Sequence, residues 1–251
     1  MPAATPSTIT EAPALPESAR LIDTFVAPAK TFADLRRSAA WWGPFLVMAV
    51  LALLFVVVVD QKIGFRKVVE NQIQLSPKAA DRIEKLPPPD RERTMLQQQT
   101  TVTKFISYGY PAVILVWNAL IAGILFATFK FGLSADLSFK RSYATVMYAG
   151  LPLVIKTVLA VIAVMAGVNT DSFTFQNPVA TNPGYFLNAA ENHVLYSLGT
   201  ALDIFMVWTL IITAIGFSTG TKVKRGTALA IVFGWYILFV LGSTAIGAAF
   251  G

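Results

Sequence analysis

The sequence predicts an all-α integral membrane protein, a bundle of five transmembrane helices with a short helical insertion between the first two spans. Three observations predict it. Apolar residues make up 55% of the 251 positions and charged residues only 14%, where a soluble domain carries about a quarter charged residues. The apolar excess is gathered into long runs almost free of charge, as a bilayer requires. Five of those runs are long enough to cross about 30 Å of hydrocarbon at about 1.5 Å per residue.

Residues 1–18 are rich in Pro, Ala, Thr and Ser and have little to bury, so a disordered tail is expected. No short apolar core follows a basic start with a small-residue cleavage site, so a signal peptide is not expected and the first apolar run should remain as an anchor. From residue 19 to 40 the chain reads as an amphipathic cytoplasmic segment. Leu21, Ile22, Phe25, Val26, Phe32 and Leu35 recur at helical spacing. Pro28 should divide them into two short helices, with Thr31 and Asp34 as the N-terminal cap of the second. Phe25, Pro28, Phe32, Arg36 and Arg37 form the candidate interfacial segment. Two readings stay open for it: a helix pair lying on the inner leaflet with its basic side to the headgroups, or short helices packed under the bundle.

The five spans are expected at residues 41–59, 107–131, 143–167, 194–216 and 227–250, within a transmembrane domain covering 41–251. The insertion, residues 60–106, reads as helices broken at Leu86-Pro87-Pro88-Pro89-Asp90, with Ser76-Pro77 as a cap and first-turn proline. Val68, Ile73, Ile83 and Leu86 give it only a thin apolar face, so a small helical hairpin above the membrane is expected. The connection between the third and fourth spans carries Phe173, Phe175, Tyr185 and Phe186 among Asn-Pro turns. It reads as a loop with aromatic residues at headgroup depth. His193, the one histidine, reads as an interface residue.

Orientation follows from lysine and arginine in the short connections. Lys30, Arg36 and Arg37 precede the first span, Lys130, Lys140 and Arg141 follow the second, and Lys222, Lys224 and Arg225 follow the fourth. The connection after the third span has neither residue type. The N-terminus is therefore expected inside and the C-terminus outside. The insertion is rich in basic residues but carries Glu70, Asp81, Glu84, Asp90 and Glu92 as well. Long, charge-balanced segments translocate more readily than short basic ones.

Charges inside a span are expensive and normally face the bundle interior. Lys156 in the third span and Asp203 in the fourth are the two clear cases, and Asn118 lies within the second. Counted from the outer ends of their spans, the three fall about 14 to 16 Å deep at about 1.5 Å per residue, near the middle of the membrane. One reading makes them an interhelical ion pair completed by the asparagine, fixing helix register. The other makes them a path for a proton, an ion or a small polar solute. Two opposite charges without a further acidic chain form a poor proton relay, which favours the structural reading. Pro152, one turn before Lys156, should bend the third span there. Ala230-x-x-x-Gly234 and Ser243-x-x-x-Gly247 on the fifth span, with Ser197 and Gly199 on the fourth, mark close helix contacts within the chain or between copies.

No motif carries chemistry. A phosphate-binding G-x-x-x-x-G-K-[ST] loop, G-x-G-x-x-G, H-E-x-x-H and G-x-S-x-G are all absent. One histidine and no cysteine remove most metal sites and triads. No catalytic, cofactor or metal residue is expected, and the basic charge, placed between spans, points to lipid and not to nucleic acid.

The order Phe25-x-x-Pro28-x-x-Thr31-Phe32, then Trp41-Trp42-x-Pro44 opening the first span, resembles bacterial members of the Yip1 domain family. Tyr148-Ala149-Gly150-Leu151-Pro152 is similar to that family's Y-A-x-x-P element, and the turn from Thr219 to Arg225 into an alanine-bearing last span is similar too. The resemblance implies five spans with the N-terminus cytoplasmic, and for a bacterial member the cytoplasmic membrane. Eukaryotic relatives are linked to Rab GTPases and vesicle traffic. The D-L-Y-G-P element of their branch is absent here, so a Rab-type GTPase is not an expected partner. The functional expectation is a non-enzymatic membrane scaffold or adaptor in membrane organisation or trafficking, with other membrane proteins or further copies of itself as partners. The alternative is a channel or transporter, or a subunit of one, using Asn118, Lys156 and Asp203.

Overall fold

The computed structural model describes residues 14–75, 77–167 and 170–250. Most of the tail expected at 1–18, and the cap at Ser76, lie outside the described residues. The fold is an all-α membrane bundle. Four helices cross by length and hydropathy: Trp42–Lys62, Tyr110–Gly132, Phe139–Met165 and Arg225–Ala248. A bent pair, His193–Ala201 with Ile204–Ser218, is together long and apolar enough to make a fifth.

Chain order explains the arrangement. Helices α1 (Glu17–Val26) and α2 (Pro28–Asp34) precede the first span, α3 (Trp42–Lys62). Pro28 sits at the first position of α2, where its missing N–H is no loss. This corrects the expected cap: Thr31 lies inside α2, and its hydroxyl donates to the Arg20 carbonyl at 3.1 Å. After α3, Gly64 turns the chain at φ 82° into the insertion helices α4 (Phe65–Gln74), α5 (Pro77–Glu84), α6 (Pro88–Gln97) and α7 (Lys104–Tyr108). The second span is α8 (Tyr110–Ala127), extended by a wider turn over Thr128–Gly132.

The third span is α9 (Phe139–Ala149) followed by α10 (Pro152–Met165). Pro152 has no N–H and restrains Leu151 before it. The helix tightens there, with Leu151 N–H donating to the Tyr148 carbonyl at 3.1 Å. The fourth span was expected to be continuous and is not. It divides into α11 (His193–Ala201) and α12 (Ile204–Ser218), bent by 50° at Leu202-Asp203. The last span is α13 (Arg225–Phe250).

The bundle has two unlike ends. At one, the basic end, Phe129 of the second span packs against Phe217 of α12 with ring centres 4.8 Å apart and planes tilted by 30°. Phe32 and Leu35 plug the same end, fully buried among Ala144, Tyr148, Leu151 and Ile212. At the other, insertion end, α4 is tied to the loop after the third span. Asn71 donates to the Thr170 and Phe173 carbonyls at 2.7 and 3.0 Å, and Val68 packs with Val58, Val59, Val164 and Phe173. Helix α6 buries no residue. Large apolar side chains stay exposed along the spans, including Val50, Val116, Leu238 and Ile246. In water that surface would be costly. Facing hydrocarbon, it is what a spanning helix presents.

Candidate functional site

A broken helix inside a membrane leaves backbone groups without partners, and each must be satisfied within the protein. Asp203 does this for α12. As the residue just before the helix, its Oδ1 accepts from the N–H groups of Phe205 and Met206 at 3.0 and 3.2 Å, the usual action of an N-terminal cap. On the other side of the break, the Ala201 carbonyl accepts from the Tyr236 hydroxyl of α13 at 2.7 Å.

The second carboxylate oxygen gathers the site. Asp203 Oδ2 takes Lys156 Nζ at 2.7 Å, Thr181 Oγ1 at 2.5 Å and Asn182 Nδ2 at 3.4 Å. Asp203 is 3% exposed and the Lys156 side chain 19% exposed. A charge so placed is tolerated only when paired and hydrogen-bonded, and both conditions are met. The Ile204 N–H also donates to the Thr181 carbonyl at 3.2 Å, so the loop is bound to the break by main chain as well as side chain.

That loop folds against the helices, with part of its length buried. Asn177, Val179 and Asn182 are buried, and Phe173 and Phe175 pack against Phe55. Only Tyr185 and Phe186 among its aromatics turn outward. The physical reason is the polar break itself, which offers Thr181 and Asn182 partners that lipid does not. Asn182 also caps the short 3₁₀ turn Pro183–Phe186 by accepting from the Tyr185 N–H at 3.1 Å. That turn crosses α11 backbone to backbone. A Cβ on Gly184 would meet Thr200, and one on Gly199 would lie 2.8 Å from the Gly184 nitrogen.

Asn118 does not join this site. Its amide donates to the Ile114 carbonyl one turn back, at 2.8 Å. Helix α8 packs on α3 and α9, and the loop fills the place at Asp203 expected for the asparagine. Sequence reasoning missed Thr181, Asn182 and Tyr236. The signal available was Asn177-Pro178 and Asn182-Pro183 flanking Thr181, a polar pair of turns in an otherwise apolar half of the chain.

The N-terminal segment forms a second buried polar cluster. Arg20, 3% exposed, donates through Nε to Asp34 at 2.7 Å, places Nη2 2.6 Å from the same carboxylate and reaches Glu17 at 3.5 Å. The Tyr148 hydroxyl donates to Glu17. Phe25 meets Trp208 of α12 edge-on at 5.8 Å, Phe32 is fully buried, and Pro28 opens α2. Arg36 and Arg37 are exposed. Phe32 and Leu35 of this segment pack against the spans, while Ile22 and Val26 stay exposed.

His193 approaches Ser197 at 3.3 Å, and a Cβ on Gly247 of α13 would strike its ring. Two of the small-residue positions, Gly199 and Gly247, therefore serve contacts within the chain, whereas Gly234 has nothing within 4 Å of where a Cβ would stand. Among the described residues no group of three or more His, Asp or Glu side chains could hold a metal ion.

A family match to the Yip1 domain runs from residue 22 to residue 246. The chain belongs to the Yip1 domain family. The match begins inside α1 and so takes in the N-terminal helices as well as the spans. No curated protein and no solved structure matches the chain. Within this Yip1 domain the Tyr148-to-Pro152 element has a visible use: Tyr148 anchors Glu17, and Pro152 ends α9 just before the helix that presents Lys156.

Proposed function

We propose that this Yip1-domain protein is a non-enzymatic scaffold or adaptor in the membrane, acting by holding other membrane proteins or further copies of itself. The observation that carries the reading is the use made of the central charges. Both Asp203 oxygens are engaged in capping α12, pairing Lys156 and anchoring the loop. A group so fully occupied in holding the fold is not free to bind a solute. Self-association has a suitable surface at Ala230 and Gly234 on α13, a span that is largely unburied. Close approach of small residues supports helix contact in lipid. The orientation read from the loop charges, with the N-terminus in the cytoplasm of a bacterial cell, belongs to this proposal.

The test is recovery of partners, or of a differently tagged copy, from mild detergent with the full chain and with Gly234→Leu. Deleting residues 1–37 is unsuitable, because Phe32 and Leu35 are core residues. The scaffold reading expects specific recovery that Gly234→Leu reduces. Recovery of neither partner nor copy from the full chain would count against it.

One observation favours a channel or transporter instead. A broken span meeting an irregular polar loop around a Lys–Asp pair is how many transporters build a midplane site. Flux in proteoliposomes that is lost in Lys156→Met while the protein remains folded would establish that reading and displace the first.

A further inference from the structure

Two arginines, Arg36 and Arg141, meet at the turn between α12 and α13, and among the described residues neither has a carboxylate at ion-pair distance. Gly220, at φ 66°, carries the chain through a left-handed bend that L side chains rarely adopt. The point that a Cβ would occupy on Gly220 lies 3.2 Å from Arg141 Nη2 and 3.2 Å from Arg36 Nη1. The two guanidinium groups are thus no farther apart than twice that distance. Arg141 is 8% exposed. Its hydrogen bonds run to neutral acceptors, the Thr219 carbonyl at 2.5 Å and the Asp136 carbonyl at 3.4 Å. The Asp136 carboxylate acts on Arg141 electrostatically. Among the described residues, though, no acid stands at ion-pair distance from Arg141 or Arg36. Arg20 and Arg66, by contrast, pair with Asp34 and Glu92.

Like charges held together at a partly dry site repel, and an anion between them turns that repulsion into attraction. Two planar guanidinium forks on one side of a turn match the oxygens of a phosphate group. Lys222, Lys224 and Arg225 follow in the same connection and add attraction at longer range. α13 is a span and α12 is the second half of the bent pair, so the six residues between them fall at a membrane end, where lipid phosphates lie.

We propose that Arg36 and Arg141, at the Gly220 turn, bind the phosphate of an anionic phospholipid. The site would couple the N-terminal segment to the loop between the last two spans through a lipid that touches both. It is independent of the scaffold reading.

The test uses the full chain in neutral detergent. Thermal melting is followed while a short-chain phosphatidylglycerol, a short-chain phosphatidylcholine or inorganic phosphate is titrated in. Wild type should be stabilised by phosphatidylglycerol well before phosphatidylcholine. Arg36 is exposed, so Arg36→Gln should fold. Without lipid it should melt no lower than wild type, because one of two repelling charges is gone. Its response to phosphatidylglycerol should need at least about tenfold more lipid, as expected for loss of a charge-assisted contact. Lys140→Gln, an exposed basic residue at the same end, should respond like wild type. An unchanged response in Arg36→Gln would overturn the proposal. So would equal stabilisation by the two lipids, or stabilisation by inorganic phosphate alone, which would mark a soluble oxyanion as the occupant.

Discussion

In the middle of the bundle Asp203 takes a lysine from the neighbouring span, two side chains from a loop and two backbone N–H groups from its own helix. At the basic end Arg20 takes Asp34 and Glu17, both from its own short segment, and the spans contribute Tyr148 through Glu17. Both clusters bury opposite charges, yet they do different work. The central one joins α10, α12 and the loop, elements far apart in sequence, and repairs a helix that would otherwise leave backbone groups bare in the membrane. The terminal one first shapes the N-terminal segment and only then docks it. A buried pair whose members come from separate spans fixes topology. One whose members lie fourteen positions apart fixes a local shape that apolar contacts of Phe32 and Leu35 then hold in place.

The two clusters separate most clearly at Asp203. Asp203→Ala removes the cap, the partner of Lys156 and the anchor of the loop together, and should destabilise the protein in detergent by about 3 to 5 kcal/mol, the range for breaking a buried pair. Cleavage of the loop by added protease should rise with it, because Thr181 and Asn182 lose their acceptor. At the basic end Arg20→Met should lose about 3 kcal/mol at most, since Leu15 N–H and Tyr148 O–H remain with the stranded carboxylates. Its protease-sensitive region should be the N-terminal segment, with the loop unaffected. If both variants opened the same region, the two clusters would not be separate devices.

Smaller effects sharpen the same contrast. A Cβ on Gly216 would press on Thr145 and on the buried Phe32, so Gly216→Ala should cost about 1 to 3 kcal/mol by overpacking, measured as a lowered melting temperature with the loop still protected. Tyr236→Phe deletes the donor to the Ala201 carbonyl and should cost about 1 kcal/mol. It should be additive with Arg20→Met, whose site is distant, and coupled to Asp203→Asn, whose site is the same break.

Legibility in the sequence followed contrast. Lys156 and Asp203 stand out because each is a lone charge in an apolar run, and their pairing could be anticipated from depth along two spans. Arg20, Glu17 and Asp34 lie among other polar residues, where nothing in a single sequence separates a buried charge from a solvated one. The four continuous spans fell within a few residues of their expected places, because hydropathy over twenty positions is a strong signal. The break at Leu202-Asp203 was hidden for the converse reason. Its flanks are apolar enough to read as one helix, and an aspartate inside a span looks alike whether it pairs across the bundle or caps a helix start. Asn118 misled because depth along a helix says nothing of the direction its side chain faces. The loop's contacts at Thr181 and Asn182 were hidden because its aromatics draw the eye in sequence and its polar residues look like ordinary turn residues.

Contact between Lys156 and Asp203 closes the broken span. A double-mutant cycle in detergent with Lys156→Met and Asp203→Asn measures it directly, since asparagine keeps the cap on α12 while removing the charge. Each single variant should strand one charge and melt well below wild type, by the equivalent of about 3 kcal/mol or more. The double variant should recover most of that loss, leaving a coupling of about 2 kcal/mol or more. Two single losses that simply add in the double variant would contradict the contact and the closure built on it.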